Sequence, residues 1–263
     1  MGIYNCAPTL QESVESIVNQ TYSDWELIMC DDCSTDDTLT LAMELKNKYP
    51  EQIQVLQNDS NKGLNYTLNK CFSAARGKYL ARQDGDDISL PQRLEKQIGF
   101  IKRYTEYSIV SSAMVHFDEN GDWGVSKLKE YPDKYDFIRG TPFCHAASLF
   151  TREAFEAVKG YSVSDRLLRV EDYDLWSKMY ALGLKGANLM EPLYKMRDDR
   201  DAYSRRKFRF RINESYAMVL TIKRLTLPFY MIIFAARPLI VGLLPAFVYD
   251  RLHKMRLQKK MSN

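Results

Sequence analysis

The stretch Lys78-Tyr79-Leu80-Ala81-Arg82-Gln83-Asp84-Gly85-Asp86-Asp87 decides how the rest of the chain reads. A short apolar run that stops in carboxylates is the pattern of a strand opening into an acidic loop. Alternate side chains of an extended chain share a face, so Asp84 and Asp86 are expected to point together and Asp87 away. Gly85 is expected to leave room for a ligand. Two carboxylates so close repel unless a cation sits between them, which points to a divalent metal carrying a phosphate. A helix cap by Asp87 or Ser89, with Pro91 in the first turn, explains part of the acid without a ligand, but not Asp84. An EF-hand loop starting at Asp84 fails, because Ile88 and Ser89 stand where Asp or Asn and Gly are required. An aspartyl nucleophile of the phosphatase kind also follows a strand as Asp-x-Asp and stays open.

Working upstream, Thr9 and Glu12 have capping-box spacing before Leu10, Val14, Ile17 and Val18, which predicts an amphipathic helix. Trp25 to Cys30 reads as a buried strand running into Asp31-Asp32-Cys33-Ser34-Thr35-Asp36. A helix carrying Leu41, Leu45 and Tyr49 follows, stopped by Pro50. Ile53 to Gln57 is the next strand, Asn58 to Gly63 a polar loop, and Leu64 to Ala75 a third helix ending near Gly77. Strands and helices alternating at this spacing predict an α/β domain: a mainly parallel central sheet flanked by helices, with ligands at the carboxyl ends of the strands. Neither a dinucleotide Gly-x-Gly-x-x-Gly nor a P-loop is present.

Length, 263 residues, and 45% apolar content suit one sizeable domain with an appendage. The net charge of +3 is unevenly spread, with residues 205–263 carrying +11 and residues 1–204 carrying −8. An acidic body with a basic, apolar end argues for an anionic membrane surface as partner and against nucleic acid. Five cysteines without framework spacing and no signal-peptide pattern predict a reducing, cytosol-facing setting. Cys30-Asp31-Asp32-Cys33 has CxxC spacing, but Cys30 ends an apolar run, so two buried or lining thiols are the ordinary reading.

Downstream, Ile109 to Phe117 reads as a strand before the turn Asp118-Glu119-Asn120-Gly121, and a variable-looking segment follows to Gly140. His145 stands before a helix from Arg152, and a lone histidine there is more often structural than functional. Glu171 and Asp172 open a helix bearing Leu175, Trp176, Met179 and Leu182, where acids also serve the helix dipole. Tyr194 to Arg200 reads as a charged loop in which Arg197 is a candidate to close over a bound phosphate, a solvated linker being an equal reading. Arg205 to Arg211 interleaves aromatics with base, yet no stacking platform accompanies it. Phe229 to Tyr249 is nearly long enough to span a bilayer, but Arg237, Pro238 and Pro245 interrupt it. An intramembrane Arg costs about 2.5–3.5 kcal/mol, so an interfacial helix or shallow hairpin is expected instead, held on anionic headgroups by Arg251, Lys254, Arg256, Lys259 and Lys260. A helical pair packed on the body is the alternative.

Tyr4-Asn5, Asn19-Gln20-Thr21-Tyr22, Asp31-Asp32-x-Ser34-Thr35-Asp36, Asn61-x-Gly63-Leu64, Ala81-Arg82-x-Asp84-Gly85-Asp86-Asp87 and Glu171-Asp172-Tyr173-Asp174-Leu175-Trp176 occur together in one order. In this the chain resembles a family 2 glycosyltransferase of the GT-A fold over roughly residues 1 to 200. The resemblance implies a metal-dependent, inverting transferase using a nucleotide-diphospho-sugar, with uridine as the expected nucleoside. It implies that Tyr4 and Asp32 contact the base, that Asn61, Gly63 and Arg82 line the nucleotide, and that Asp84 faces ribose or metal. Asp86 is then the main ligand of Mn²⁺ or Mg²⁺, and Asp172 the general base. With the tail, it implies a catalytic domain over 1–204, a membrane-associating helical segment over 205–263, and a polyprenyl-diphosphate-linked glycan acceptor. The work would be capsule or O-antigen assembly at the cytoplasmic face of a bacterial inner membrane. A nucleotide-sugar-binding membrane scaffold without catalysis needs no base and is the alternative of another class.

Two departures from the family's pattern generate expectations. Only Met1, Gly2 and Ile3 precede Tyr4, so the first strand is expected to be missing and the reading frame to extend upstream. Cys33 stands where the family usually has Gly, which matters if that turn needs positive φ. Cutting after Glu214 is expected to remove the membrane anchor and leave the nucleotide site.

Overall fold

The computed structural model describes residues 1–198, 208–243 and 248. Its first half is a β/α alternation: β1 (Gly2–Ile3), α1 (Ala7–Val18), β2 (Leu27–Asp31), α2 (Thr38–Lys48), β3 (Ile53–Gln57) and α3 (Leu64–Ala74). These strands form a parallel sheet in the order β1-β2-β3. β2 is buried along its whole length, as its unbroken run of apolar residues requires. The first strand, expected to be missing, is present in short form. The Met1 ammonium donates to the Ile28 carbonyl at 2.8 Å, the Cys30 amide donates to Met1 O at 3.0 Å, and the Asp32 amide to Ile3 O at 2.9 Å.

The second half builds a mixed sheet from β4 (Tyr79–Ala81), β5 (Ile88–Ser89), β6 (Tyr107–Asp118), β7 (Gly121–Val125), β8 (Leu149–Thr151) and β9 (Lys185–Arg197). Its order is β4-β8-β6-β9-β5, with β7 hairpinned on β6. The strand leading into Asp84 was expected to join the parallel sheet, but β4 pairs antiparallel with β8. Between these strands lie α4 (Arg93–Arg103), α5 (Arg152–Ala157) and α6 (Glu171–Ala181), and after β9 come α7 (Phe208–Arg224), a 3₁₀ segment Phe229–Ala235 and α8 (Ala236–Gly242). β6 and β9 run parallel over ten register pairs with shifts around Ala113, which carries Arg197 back towards the loop after β4.

The main core is aromatic. Trp176, fully buried on α6, meets Phe143 and Phe150 edge-on at 5.7 Å, and Phe72 joins Phe150, Phe155 and Tyr161. Ala217, Met218 and Ile222 of α7, with Leu225, Leu227 and Ala235, belong to this same core. Helix α7 was expected in the membrane-associating segment, yet its apolar stripe completes the body. It is also fastened by charge: Arg224 Nη1 lies 2.9 Å from Asp174 Oδ1, a carboxylate 1% exposed, with Lys178 at 3.6 Å. A cut after Glu214 therefore strips buried side chains from the core.

Among the described residues no helix is long and apolar enough to cross a membrane. The basic clusters Arg205-Arg206-Lys207 and Arg251 to Lys260, with Asp199 and Arg200, lie outside the described residues. Removing one partner of a buried pair costs about 3–5 kcal/mol. At about 2–4 °C per kcal/mol, Arg224→Ala should lower the melting temperature by roughly 10 °C. A melting curve within a degree or two of the parent would show that α7 is not fastened this way.

Candidate active site: an acidic turn on a cationic floor

Beyond β4 the chain bends sharply instead of continuing extended. The Asp87 amide donates to Asp84 O across the turn, at 3.4 Å. This overturns the expected alternation: the carboxylates of Asp84, Asp86 and Asp87 all approach one another within 4.8 Å, because side chains alternate in a strand but converge across a turn. Asp86 is exposed, Asp84 half-buried and Asp87 buried. Although one side of Asp86 stays open, the protein packed around its carboxyl displaces solvent and, with the charge of Asp84, raises it above its ordinary value. The same causes, with Asp86 added, raise Asp87 well above it. A divalent cation relieves this repulsion, so the residues present fit a metal.

Gly85 is required by packing, not by room for a ligand. A Cβ there would stand 2.8 Å from Cys6 Sγ and 3.3 Å from Ile3 Cγ2. Helix α1 grips the turn from the same side, with Thr9 Oγ1 donating to Gly85 O at 2.9 Å and Ser13 Oγ to Asp84 O at 2.7 Å. Thr9 is thus no N-cap: α1 starts at Ala7 behind Cys6, and Glu12 reaches Arg197 instead of closing a capping box. Nor do Asp87 and Ser89 cap α4, whose N-cap position is Gln92 with no side-chain bond.

Beneath the turn lies a residue the sequence reading passed over. Arg93 is fully buried; its guanidinium donates to Gln83 Oε1 (3.1 Å), Ser89 Oγ (2.8 Å), Arg82 O (2.7 Å), Ala146 O (3.2 Å) and Gln97 Oε1 (3.2 Å), and lies 4.8 Å over the Tyr194 ring. Gln83 in turn donates to Asp84 O and Asp87 O, and Tyr194 Oη accepts the Asp84 amide. One signal was available: a cation in the first turn of a helix stands where the dipole disfavours it. Arg82, 5% exposed, pairs with Asp84 at 2.7 Å while its Nε has no partner. At the end of β9, Arg197 donates its amide to Asp87 Oδ1 (2.8 Å), its Nε to Asp86 O (3.2 Å) and its Nη2 to Glu12 (2.9 Å).

The other expected residues fall at the carboxyl ends of the parallel strands. Tyr4, after β1, is 48% exposed. Asp32, after β2, is 4% exposed and accepts the amides of Lys62 and Gly63 and the Asn58 side chain, each at 2.8 Å. It thereby fixes the loop that carries exposed Asn61 and Gly63 at φ +83°. Cys33 does sit at positive φ, +63°, where glycine is the unstrained choice. All five cysteines are free. On the far side Glu171 and Asp172 begin α6, half-buried. Burial raises both carboxyls, Glu171 further by the charge of Asp172. His145 is a satisfied residue: Nε2 lies 2.7 Å from Tyr161 Oη, and burial, then the Arg82 charge, keeps it neutral.

The sequence profile described as Glycosyl transferase family 2 matches residues 1–159. The chain belongs to this family. EpsE of Bacillus subtilis (strain 168) is 45% identical over 260 residues, covering 99% of this chain and 94% of its own. The UDP-Glc:alpha-D-GlcNAc-diphosphoundecaprenol beta-1,3-glucosyltransferase WfaP of Escherichia coli is 28% identical over 198 residues, 74% of this chain and 75% of WfaP. Among solved structures, S. aureus TarS 1–349 in complex with UDP-GlcNAc superposes with a TM-score of 0.70 at 19% identity, covering 95% of this chain and 72% of TarS. The fold is accordingly GT-A.

The Gly85 packing is open to test by a mutant cycle. Gly85→Ala should destabilise by about 1–3 kcal/mol through overpacking, and Cys6→Ala in the same chain should restore most of it. Equal losses in the single and double variants, by chemical denaturation, would exclude the Cys6 contact as the cause.

Proposed function

We propose that this glycosyltransferase inverts configuration while moving a sugar from a nucleotide-diphospho-sugar, a UDP-sugar, to a hydroxyl of a lipid-linked glycan during cell-surface polysaccharide assembly. The observation carrying this is the convergence of Asp84, Asp86 and Asp87 beside Arg82 and Arg197, with Asp172 at the head of α6 as a separate, partly buried carboxylate. Asp86 and Asp84 would hold Mn²⁺ or Mg²⁺, which when bound supplies charge neutralisation for the diphosphate. Arg82, with its spare Nε, and Arg197 bind the same diphosphate. Asp172 accepts the proton of the acceptor hydroxyl as that oxygen attacks the anomeric carbon from the face opposite the leaving group. Tyr4 and the loop fixed by Asp32 take the base. The names of TarS's ligand and WfaP's substrate support a uridine nucleotide and a polyprenyl-diphosphate acceptor. An aspartyl-phosphatase reading is disfavoured, because the Asp84 carboxylate is engaged by Arg82.

The tail extends the proposal. Phe229, Tyr230, Ile233, Ile240 and Leu243 are 63–78% exposed, too much apolar surface to leave in water without a partner. With the basic run Arg251 to Lys260 in the sequence, they suit an anionic bilayer on which the chain lies without crossing, at the cytoplasmic face. Phe229→Ser with Ile233→Ser should reduce binding to anionic vesicles at least tenfold and leave nucleotide-sugar affinity unchanged. Undiminished pelleting at high salt would remove this segment as the anchor.

Binding and chemistry separate at two residues. Asp86→Ala should abolish the Mn²⁺ dependence of nucleotide-sugar binding, read by calorimetry. Asp172→Asn should keep that binding and slow transfer by about 10²–10⁴-fold. Because burial raises the Asp172 carboxyl and only its ionised form accepts a proton, kcat/KM should climb with pH along a limb above the ordinary carboxylate value of about 3.9. Transfer by Asp172→Asn at the parent rate would move the base to Glu171.

A further inference from the structure

The chain reverses just before α6. Leu167 and Val170 are buried in the aromatic core, and Asn213 of α7 holds the same segment, its side-chain amide donating to Asp165 O at 3.0 Å and to Leu168 O at 3.1 Å. The reversal falls on Arg169, whose φ is +68°. Glycine takes that conformation without strain and arginine does not. The strain is repaid by no contact of the side chain, which is exposed and forms no ion pair among the described residues. Strain of this kind gathers at ligand sites. Burial raises the Glu171 carboxyl and the charges of Arg82 and Arg169 pull it back, so Arg169 acts on the end of α6 that carries Asp172.

A second cation stands beside it. Arg166 is exposed, with its guanidinium 5.5 Å over the ring of Tyr216 on α7. Tyr216, Ile212 and Phe208 are exposed and follow one another every fourth residue along the outer face of α7, while Asn213, Ala217 and Met218 take the inner one. The strip runs on into α8: a Cβ on Gly242 would stand 3.0 Å from the Phe208 ring, and exposed Ile240 and Leu243 lie to either side of that contact. It therefore leads from the apolar residues assigned above to the bilayer, along about 12 Å of helix, to two guanidinium groups and then to the acids of α6. Of the other acids here, Asp165 is 3.8 Å from Arg209 and Glu214 is paired with Arg211, which leaves Arg166 and Arg169 for an anion.

We propose that this strip seats the lipid of the acceptor: an isoprenoid chain lies along Phe208, Ile212 and Tyr216, and Arg166 and Arg169 take the two adjoining charges of its diphosphate. The proposal rests on the reading of a lipid-linked acceptor and adds where the lipid and its charges sit. A phosphodiester headgroup carries one charge, whereas a diphosphate between lipid and sugar carries two, one for each guanidinium. Three residues span at most about 10 Å, so a diphosphate on Arg169 sets a hydroxyl of the sugar attached to it near Asp172.

The probe is geranylgeranyl diphosphate, titrated by calorimetry into the full chain with UDP and Mn²⁺ at saturation, so that the acidic turn and Arg82 are already engaged. Arg169→Gly should weaken its binding about tenfold and raise the melting temperature, since the substitution removes the charge and the strain together. Ile212→Ser should weaken it about tenfold through lost apolar area. Vesicles of phosphatidylglycerol should bind Arg169→Gly as tightly as the parent. Unchanged affinity for geranylgeranyl diphosphate in either variant would overturn this site while leaving a lipid-linked acceptor to bind elsewhere, whereas no binding by the parent would overturn both. An equal loss of vesicle binding in Arg169→Gly would give the cations to bilayer headgroups and overturn the proposal as well.

Discussion

The guanidinium of Arg93 sits in a place where a charge is tolerated only if every donor is used and an opposing field is near. Both conditions are met by the acidic turn above it. Its donors go to Gln83, Ser89, Gln97 and the carbonyls of Arg82 and Ala146, and the carboxylates of Asp84 and Asp87 supply the field. The acids themselves are met by Arg82 and Arg197, while Arg93 holds the main chain of the turn through Gln83. Helix α4, strand β8 and the turn after β4 are therefore fixed by one side chain, and the turn's preorganisation is a property of the core beneath it.

The local elements were legible because periodicity reports them: the helices at Leu10 to Val18 and Leu64 to Ala75, the strand at Ile53 to Gln57, and the hairpin at Asp118 to Gly121 all follow from short-range pattern. The candidate site residues were legible through motif order, which survives where single motifs are ambiguous. What stayed hidden depends on contacts distant in sequence. Alternation misplaced Asp87, since nothing in residues 84–87 announces that the chain turns there. Gly85 was read as space because its neighbour, Cys6, is brought to it only by the fold. Arg93 looked like one more polar helix residue, and β4 joined a different sheet because its partner, β8, lies about seventy residues on.

The C-terminal reading shows the same limit at a larger scale. Charge and hydropathy divided the chain near residue 205, and that division is real as chemistry. Packing divides it later: α7 covers Trp176 and Tyr173, and Asp174 draws Arg224 into the body. Past Leu227 apolar side chains turn outward in series, as Phe208, Ile212 and Tyr216 already do on the outer face of α7. Composition cannot tell an apolar face that meets a core from one that meets solvent, since both are written with the same residues.

The close seating of Gly85 on Cys6 and Ile3 has a consequence for how donor affinity arises. The residues expected to take the nucleoside stand on the parallel sheet, whereas the acidic turn and Arg82 are carried by the mixed one. A bound donor would bridge two bodies joined there by van der Waals contact, by hydrogen bonds from Thr9 and Ser13 of α1 and by the Glu12–Arg197 ion pair. Its measured affinity then contains the free energy of holding those bodies in alignment. Tightening their junction would strengthen binding without any new contact to the ligand, and loosening it would weaken nucleoside and diphosphate recognition together.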